Sequence, residues 1–240
     1  AGFAALLRIF LIGLGPLPST WITILWILAV LTMTVGNVFA IAQMNIKRML
    51  AYSSIAHAGY VLICIVAGGD LGLSSSVFYL LVYSLMTIGS FAVKIALGEK
   101  GEKNEELPDY RGLGLKYPLL GVFMAIFMIS LSGIPPTAGF VGKFYIFSAA
   151  VKNGYIGLAV IGVLNSLISV YYYLRVVVIM FMQEAPSKIA VPYSSWSVTI
   201  ALWLTAVGIL GLGIFPDFLF ELTKGGNFLS FEIKNLLFIN

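Results

Sequence analysis

Lysine 143 stands inside a long apolar run, four residues past Gly139 in the string Ser132-Gly133-Ile134-Pro135-Pro136-Thr137-Ala138-Gly139. A lysine can exchange its proton with neighbouring groups, which the permanently charged arginine cannot. Three further segments carry polar residues at helical spacing. Ser53, His57, Tyr60 and Cys64 recur at intervals of four, three and four and so share one helix face. Tyr79, Tyr83, Thr87, Ser90 and Lys94 form a second stripe, and Ser166, Ser169 and Tyr173 a third, with Asn165 and Tyr172 alongside. His57 is the only histidine, and imidazole is the side chain whose ordinary titration lies nearest neutral pH. Acid–base groups linked by hydroxyls are the parts of a path for protons or small cations.

Each residue also has a plainer reading. Serine and threonine on apolar helices often serve only as interhelical hydrogen bonds, and a neighbouring helix can satisfy a histidine. Lys94 sits within one turn of its helix end, where a lysine reaches the headgroups. Arg8 and Arg175, about two turns from helix ends, suit the same role or interhelix pairing. Other chemistry is not visible. No phosphate loop, dinucleotide fingerprint, metal cluster or nucleophile–base pair can be read, so neither a metal site nor a redox centre is expected on this chain. The single cysteine, Cys64, excludes an intrachain disulfide.

The elements that would hold these residues are membrane helices. Of 240 residues, 60% are hydrophobic and 10% charged, and mean hydropathy is +1.01. Soluble domains carry about 25% charged residues, so too few polar side chains are present to cover a water-facing surface. The net charge of +4 is dispersed between apolar runs and reads as topology information, not as a nucleic-acid patch. A bilayer core about 30 Å thick needs about 20 apolar residues in a helix. The expected fold is therefore all-α, a polytopic bundle of about six full spans and one partial. The partial run is Ala1 to Leu14, and its start inside an apolar stretch suggests a fragment or a processed chain. The full runs are Trp21 to Ala42, Met49 to Ala67, Ser76 to Leu97, Leu119 to Val151, Ile156 to Met182 and Ser195 to Leu222. Residues 1–222 form one transmembrane domain in this reading, and 223–240 a tail on the membrane surface.

The 33 residues from Leu119 to Val151 would make a straight helix of roughly 50 Å, too long for one span. The break is expected at Gly133, Pro135, Pro136 and Gly139, since prolines remove backbone donors and glycines permit unwinding. Broken helices of this kind mark ion sites in transporters; a re-entrant hairpin is the alternative. If every run crosses once, one side collects Lys47, Arg48, Lys100, Lys103, Arg111, Lys116 and Lys188, and the other Lys152, Lys224 and Lys234. The positive-inside rule puts the first side in the cytoplasm and the C-terminal tail outside.

Three strings carry a family resemblance: QMNIKRMLAYSSIAHAGYVL (Gln43 to Leu62), SLSGIPPTAGFVGKFYIF (Ser130 to Phe147) and YYYLRVVVIMF (Tyr171 to Phe181). They resemble the antiporter-like membrane subunits of respiratory complex I, NADH-quinone oxidoreductase, with subunit N the nearest pattern. The central motif also occurs in cation/proton antiporter and membrane-hydrogenase subunits. The resemblance implies about fourteen helices in two inverted repeats, each with one broken helix, of which this chain would supply the second. Lys143 then falls on the broken-helix lysine, His57 on a family histidine, and Tyr83 on a position that is histidine in a sister subunit. The expected proton path comprises Lys143, His57, Tyr83, Ser53, Tyr60 and Lys94, and because Ser53, His57 and Tyr60 share a face and such a path needs water-linked donors and acceptors, His57 is expected to face Lys143 across a hydrated cavity. The resemblance also implies a bacterial inner membrane, other complex I membrane subunits as partners, and NADH and quinone used by the whole complex. Other readings are a subunit of a cation/proton antiporter or a membrane-bound hydrogenase, or a structural membrane anchor.

Overall fold

The computed structural model describes residues 2–14, 18–98, 105–185 and 195–217. The expected tail, together with Lys100, Lys103, Lys188, Lys224 and Lys234, lies outside the described residues. Among the described residues every regular element is a helix. The partial first run is a short helix α1 (Gly2–Leu7) that widens into a π-helical turn over Arg8–Gly13. Helices α2 (Pro18–Ala42) and α3 (Ile46–Ala67) form an antiparallel hairpin. Small residues let these backbones approach: a Cβ on Gly36 would lie 2.7 Å from the backbone nitrogen of Ala56. The α3 helix begins at Ile46, three residues earlier than the hydropathy suggests, because the Asn45 side chain accepts from the Arg48 N–H at 3.0 Å and caps it.

Helix α4 (Gly69–Leu97) starts seven residues before the expected Ser76. The glycine-rich stretch is only a tight turn, in which Gly68 and Gly69, with φ +65 and +64, reverse the chain. Asp70 stands in the first turn of α4, where a carboxylate suits the helix dipole. Gly72 lies against the Cys64 carbonyl, with 2.6 Å between that oxygen and an added Cβ. The charged stretch after α4, read as a loop, folds back into the bundle as a 3-10 turn (Leu107–Tyr110) and a one-turn helix α5 (Leu113–Lys116). Leu107, Tyr110 and Leu113 are its buried anchors.

The long fifth run is two helices, α6 (Pro118–Ser132) and α7 (Ala138–Lys152), each about 22 Å long. Helices α8 (Ile156–Met182) and α9 (Trp196–Ile214) complete the bundle. Helix α9 ends at Ile214 because Pro216 disfavours helical backbone in the residue ahead of it, and residues 218–222 of the expected run lie outside the described residues. Five helices are long and apolar enough to cross a bilayer: Trp21–Ala42 within α2, then α3, α4, α8 and α9. The pair α6/α7 makes a sixth crossing, since it runs antiparallel along α8. Next to its start, the Gly112 N–H donates to Ile179 near the end of α8. Further on, Phe147 of α7 touches Gly162, near the start of α8.

One end of the bundle gathers charge. The Ile46 N–H donates to the Glu105 carbonyl at 2.8 Å, and the Leu107 N–H to Met44 at 2.7 Å. Lys47 and Lys94 both lie 3.8 Å from the Glu105 carboxylate. The outward faces are apolar, with Leu31 of α2 and Trp203, Leu204 and Val207 of α9 all more than half exposed. Such surfaces suit lipid.

Candidate functional site

The break between α6 and α7 leaves two backbone carbonyls without donors. In a continuous helix, the carbonyls of Leu131 and Ser132 would accept from the N–H groups of residues 135 and 136. Both residues are proline and have no N–H. The carbonyls just before them are satisfied locally, because the Gly133 N–H donates to Ile129 and Ser130, and that of Ile134 to Ile129. Lys143, on α7, supplies the missing donors. Its Nζ lies 3.0 Å from the Leu131 oxygen, 2.9 Å from the Ser132 oxygen and 2.9 Å from the Ser166 hydroxyl. These three acceptors match the three donors of an ammonium group.

Lys143 is 3% exposed, and no carboxylate among the described residues pairs with it. Its charge is balanced by dipoles: the C-terminal end of α6 and the Tyr60 ring, whose centroid lies 5.1 Å from Nζ. Two glycines make the seat possible. Gly133 has φ +83, and an added Cβ there would stand 2.8 Å from Lys143 Cδ and 3.1 Å from Nζ. Gly139 lets α7 pass directly over the Ser130 carbonyl, which a Cβ would overlap. Its N–H donates to the Ser130 hydroxyl at 3.2 Å.

His57 is buried in the same interior, inside a cage of aromatic rings. Tyr79 and Tyr173 hydroxyls stand at its two ring nitrogens, 2.6 Å from Nδ1 and 2.9 Å from Nε2. Tyr83 stacks on the imidazole at 4.7 Å between centroids, and Tyr60 meets it edge-on at 5.8 Å. An imidazole with a hydroxyl at each nitrogen can take a proton on one side and release one on the other. A third group adjoins these. Tyr172 donates to Asn37 Oδ1 at 2.9 Å, and Asn37 Nδ2 donates to the Asn165 backbone and side-chain oxygens, both at 3.0 Å.

The shared faces expected from spacing are present: Ser53, His57, Tyr60 and Cys64 are all buried on one side of α3. The structure gathers Lys143, Tyr60, His57 and Tyr83 into one interior, with Tyr60 the side chain that touches both Lys143 and His57. The filler between the two is thus an aromatic ring. Ser53 lies one turn from His57, its hydroxyl on the Leu50 carbonyl at 2.8 Å. Lys94 stands apart, at the charged end with Glu105. Gly133, Pro135, Pro136 and Gly139 form the break, and the peptide between the two prolines is cis. Sequence reasoning passed over Asn37, although a lone asparagine in the last third of the apolar α2 was a readable signal. Tyr79, Tyr172 and Tyr173 were on the stripes but not singled out.

The fold and the site define a polytopic α-helical membrane protein with a buried lysine at a proline-broken helix. The chain belongs to the transmembrane family of NADH:quinone oxidoreductase and Mrp antiporter proteins, whose family model matches residues 1–169. It is 53% identical, over 93% of its length, to NADH-quinone oxidoreductase subunit N of Trichlorobacter lovleyi, of which it covers 46%. A chain in the structure of respiratory complex I from Thermus thermophilus with bound aureothin superposes with a TM-score of 0.73 at 36% identity. That match covers 83% of this chain and 45% of the other. A chain of the Mrp complex from Dietzia shares the fold with a TM-score of 0.74 at 22% identity, covering 87% of this chain and 47% of that one. The chain therefore spans about half the length of the relatives it matches.

Proposed function

We propose that this chain is the second half of a proton-translocating membrane subunit of NADH-quinone oxidoreductase, with Lys143 as the group that takes up and releases the proton. The observation that carries this reading is the pairing of Lys143 with the carbonyls of Leu131 and Ser132, which Pro135 and Pro136 leave without donors. A structural lysine at an unbroken helix would have no such seat. Here the helix is broken at the acceptors and the amine is held by neutral groups, so protonation changes the local charge by a full unit with no partner carboxylate among the described residues. That makes the site responsive to charge and water elsewhere in the membrane. His57 with Tyr79, Tyr83 and Tyr173 is the neighbouring relay. The whole complex uses NADH and quinone in other subunits, and the redox energy reaches this one through its membrane partners. The charged end bearing Lys47, Arg48, Arg111 and Lys116 faces the cytoplasm, as the positive-inside rule requires, and the C-terminal tail lies on the outer side.

Replacing Lys143 with alanine in the full-length subunit, within the assembled complex, tests the reading. Proton translocation in inverted vesicles should fall strongly while the complex still assembles. Lys143→Arg should fail as well, because guanidinium keeps its proton. Normal pumping per electron in Lys143→Ala would reject the assignment and favour a structural anchor. Sodium-dependent transport in the absence of quinone would favour the antiporter reading.

A further inference from the structure

We propose that Ser166, on α8, is the catalytic hydroxyl through which the Lys143 amine gives up and regains its proton, the hydrogen bond between them reversing direction each time. The assignment rests on the transport role proposed for Lys143 and names the atom that first receives the proton. Three acceptors surround Nζ: the Leu131 and Ser132 carbonyls at 3.0 and 2.9 Å and the Ser166 hydroxyl at 2.9 Å. An ammonium group has a donor for each. A neutral amine has two donors and a lone pair, so one neighbour must then donate to it. The two carbonyls have no proton to give, and the Tyr60 ring meets Nζ with its face, 5.1 Å from the centroid. Ser166 is the contact of Nζ that can both accept and donate.

The Ser166 hydroxyl is placed for that reversal. Ser53, Ser84, Ser90 and Ser169 donate to carbonyls of their own helices, as helical serines commonly do. Ser166 instead reaches across to α6, where its proton lies on the Ser132 carbonyl at 3.3 Å. That bond is longer than the roughly 2.5–3.0 Å of a good O–H···O contact, so it is given up at little cost. The Ser132 carbonyl is not left bare, because the Lys143 amine holds it in both states. Ser166 is also half-buried where Lys143 is 3% exposed, so water entering at the break reaches the serine before the amine. The transfer balances without a carboxylate. One N–H bond of Lys143 breaks, and a new O–H bond forms on Ser166 along the 2.9 Å contact. The old Ser166 proton leaves the Ser132 carbonyl for a water molecule, which carries the positive charge away. The new Ser166 proton already points at Nζ and donates to the lone pair, while the two remaining amine protons stay on Leu131 and Ser132. Lysine, serine and both carbonyls are satisfied before and after, so neither helix has to move. The same steps in reverse reload the amine.

The test uses the full-length subunit in the assembled complex and reads the initial rate of proton translocation per assembled complex. Threonine and valine have nearly the same shape, but only threonine carries the hydroxyl, so Ser166→Thr and Ser166→Val separate proton transfer from packing. Ser166→Val should translocate about tenfold more slowly, as expected when one hydrogen bond is lost from the transfer step. Ser166→Thr should stay within about twofold of the wild type. Ser166→Ala adds no bulk; it should match Ser166→Val and decides the matter if the larger side chains assemble poorly. A wild-type rate in Ser166→Val or Ser166→Ala would overturn the proposal, and so would a Ser166→Thr variant as slow as Ser166→Val. Lys143→Ala run in parallel separates the two levels. If it abolishes transport while Ser166→Ala does not slow it, only the part given to the serine is wrong; if it pumps normally, the transport role itself fails.

Discussion

Replacing Gly133 with alanine probes the seat of Lys143 without touching the lysine. Two costs follow from the structure. The first is backbone strain: Gly133 has φ +83, and an alanine held there costs about 1 kcal/mol. The second is steric. The new Cβ would stand 2.8 Å from Lys143 Cδ, whereas carbon atoms rest about 3.5–4.0 Å apart, so the lysine must withdraw by about 1 Å. Its bonds to the Leu131 and Ser132 carbonyls, 3.0 and 2.9 Å long, would then stretch past the range of a useful hydrogen bond. Ser132 keeps a longer bond from the Ser166 hydroxyl at 3.3 Å, but Leu131 has no substitute. An unpaired buried carbonyl costs about 1–3 kcal/mol. Gly154 is a matched control, since it has φ +84 and open space where its Cβ would go. Gly154→Ala carries the strain alone. Stability of the assembled complex should therefore fall further for Gly133→Ala, by about 1–3 kcal/mol. Translocation should drop about tenfold for Gly133→Ala and little for Gly154→Ala, read as vesicle acidification. Equal rates in the two variants would refute the steric argument.

Two other outcomes are expected. His57→Ala should slow translocation partially, and Ser53→Ala less, because the one Ser53 proton goes to the Leu50 carbonyl while both His57 nitrogens meet tyrosine hydroxyls; equal losses in the two variants would count against the relay. Arg175→Leu should reduce the yield of assembled complex, seen on native gels, without slowing transport per complex. It removes the donor to the Ile41 and Gln43 carbonyls at the end of α2, and each part-buried carbonyl left bare costs about 1 kcal/mol.

The parts of this architecture that were legible in the sequence are those fixed by local rules. Helix interiors follow from the length of apolar runs, and the break follows from Pro135 and Pro136 because they remove donors whatever surrounds them. The buried stripe on α3 was readable for the same reason, since helical spacing alone sets which residues share a face. What escaped depends on partners distant in sequence. Helix α4 extends back to Gly69 because Gly72 finds the Cys64 carbonyl, a contact that hydropathy does not record. The 105–117 connection looked like a solvated loop by its charges, yet Leu107, Tyr110 and Leu113 are buried under the ends of its neighbours. Asn37 was missed because its partners, Tyr172 and Asn165, lie about 130 positions away on α8. Tyr60 was assigned to the path by its face, but its place between Lys143 and His57 depends on how α3, α7 and α8 meet.

Two cations in this bundle do the same electrostatic work, and comparing them explains why one is a candidate for transport and the other is not. Arg175 donates to the carbonyls that end α2, and Lys143 to those that end α6. Both sit where a helix dipole favours positive charge. The acceptors differ in origin. Those of Arg175 are the ordinary orphans of a helix terminus near the charged end of the bundle, a need that a permanently charged, planar guanidinium meets best. Those of Lys143 were created inside the bundle by two prolines, where a simple structural answer would have been to omit the prolines. A broken helix filled by an arginine would be only a repaired defect. Filled by a lysine, which can release its proton, it becomes a place where backbone carbonyls lose and regain a charged partner. The Ser166 hydroxyl and the Tyr60 ring, both in contact with the amine, are the groups positioned to respond when that happens.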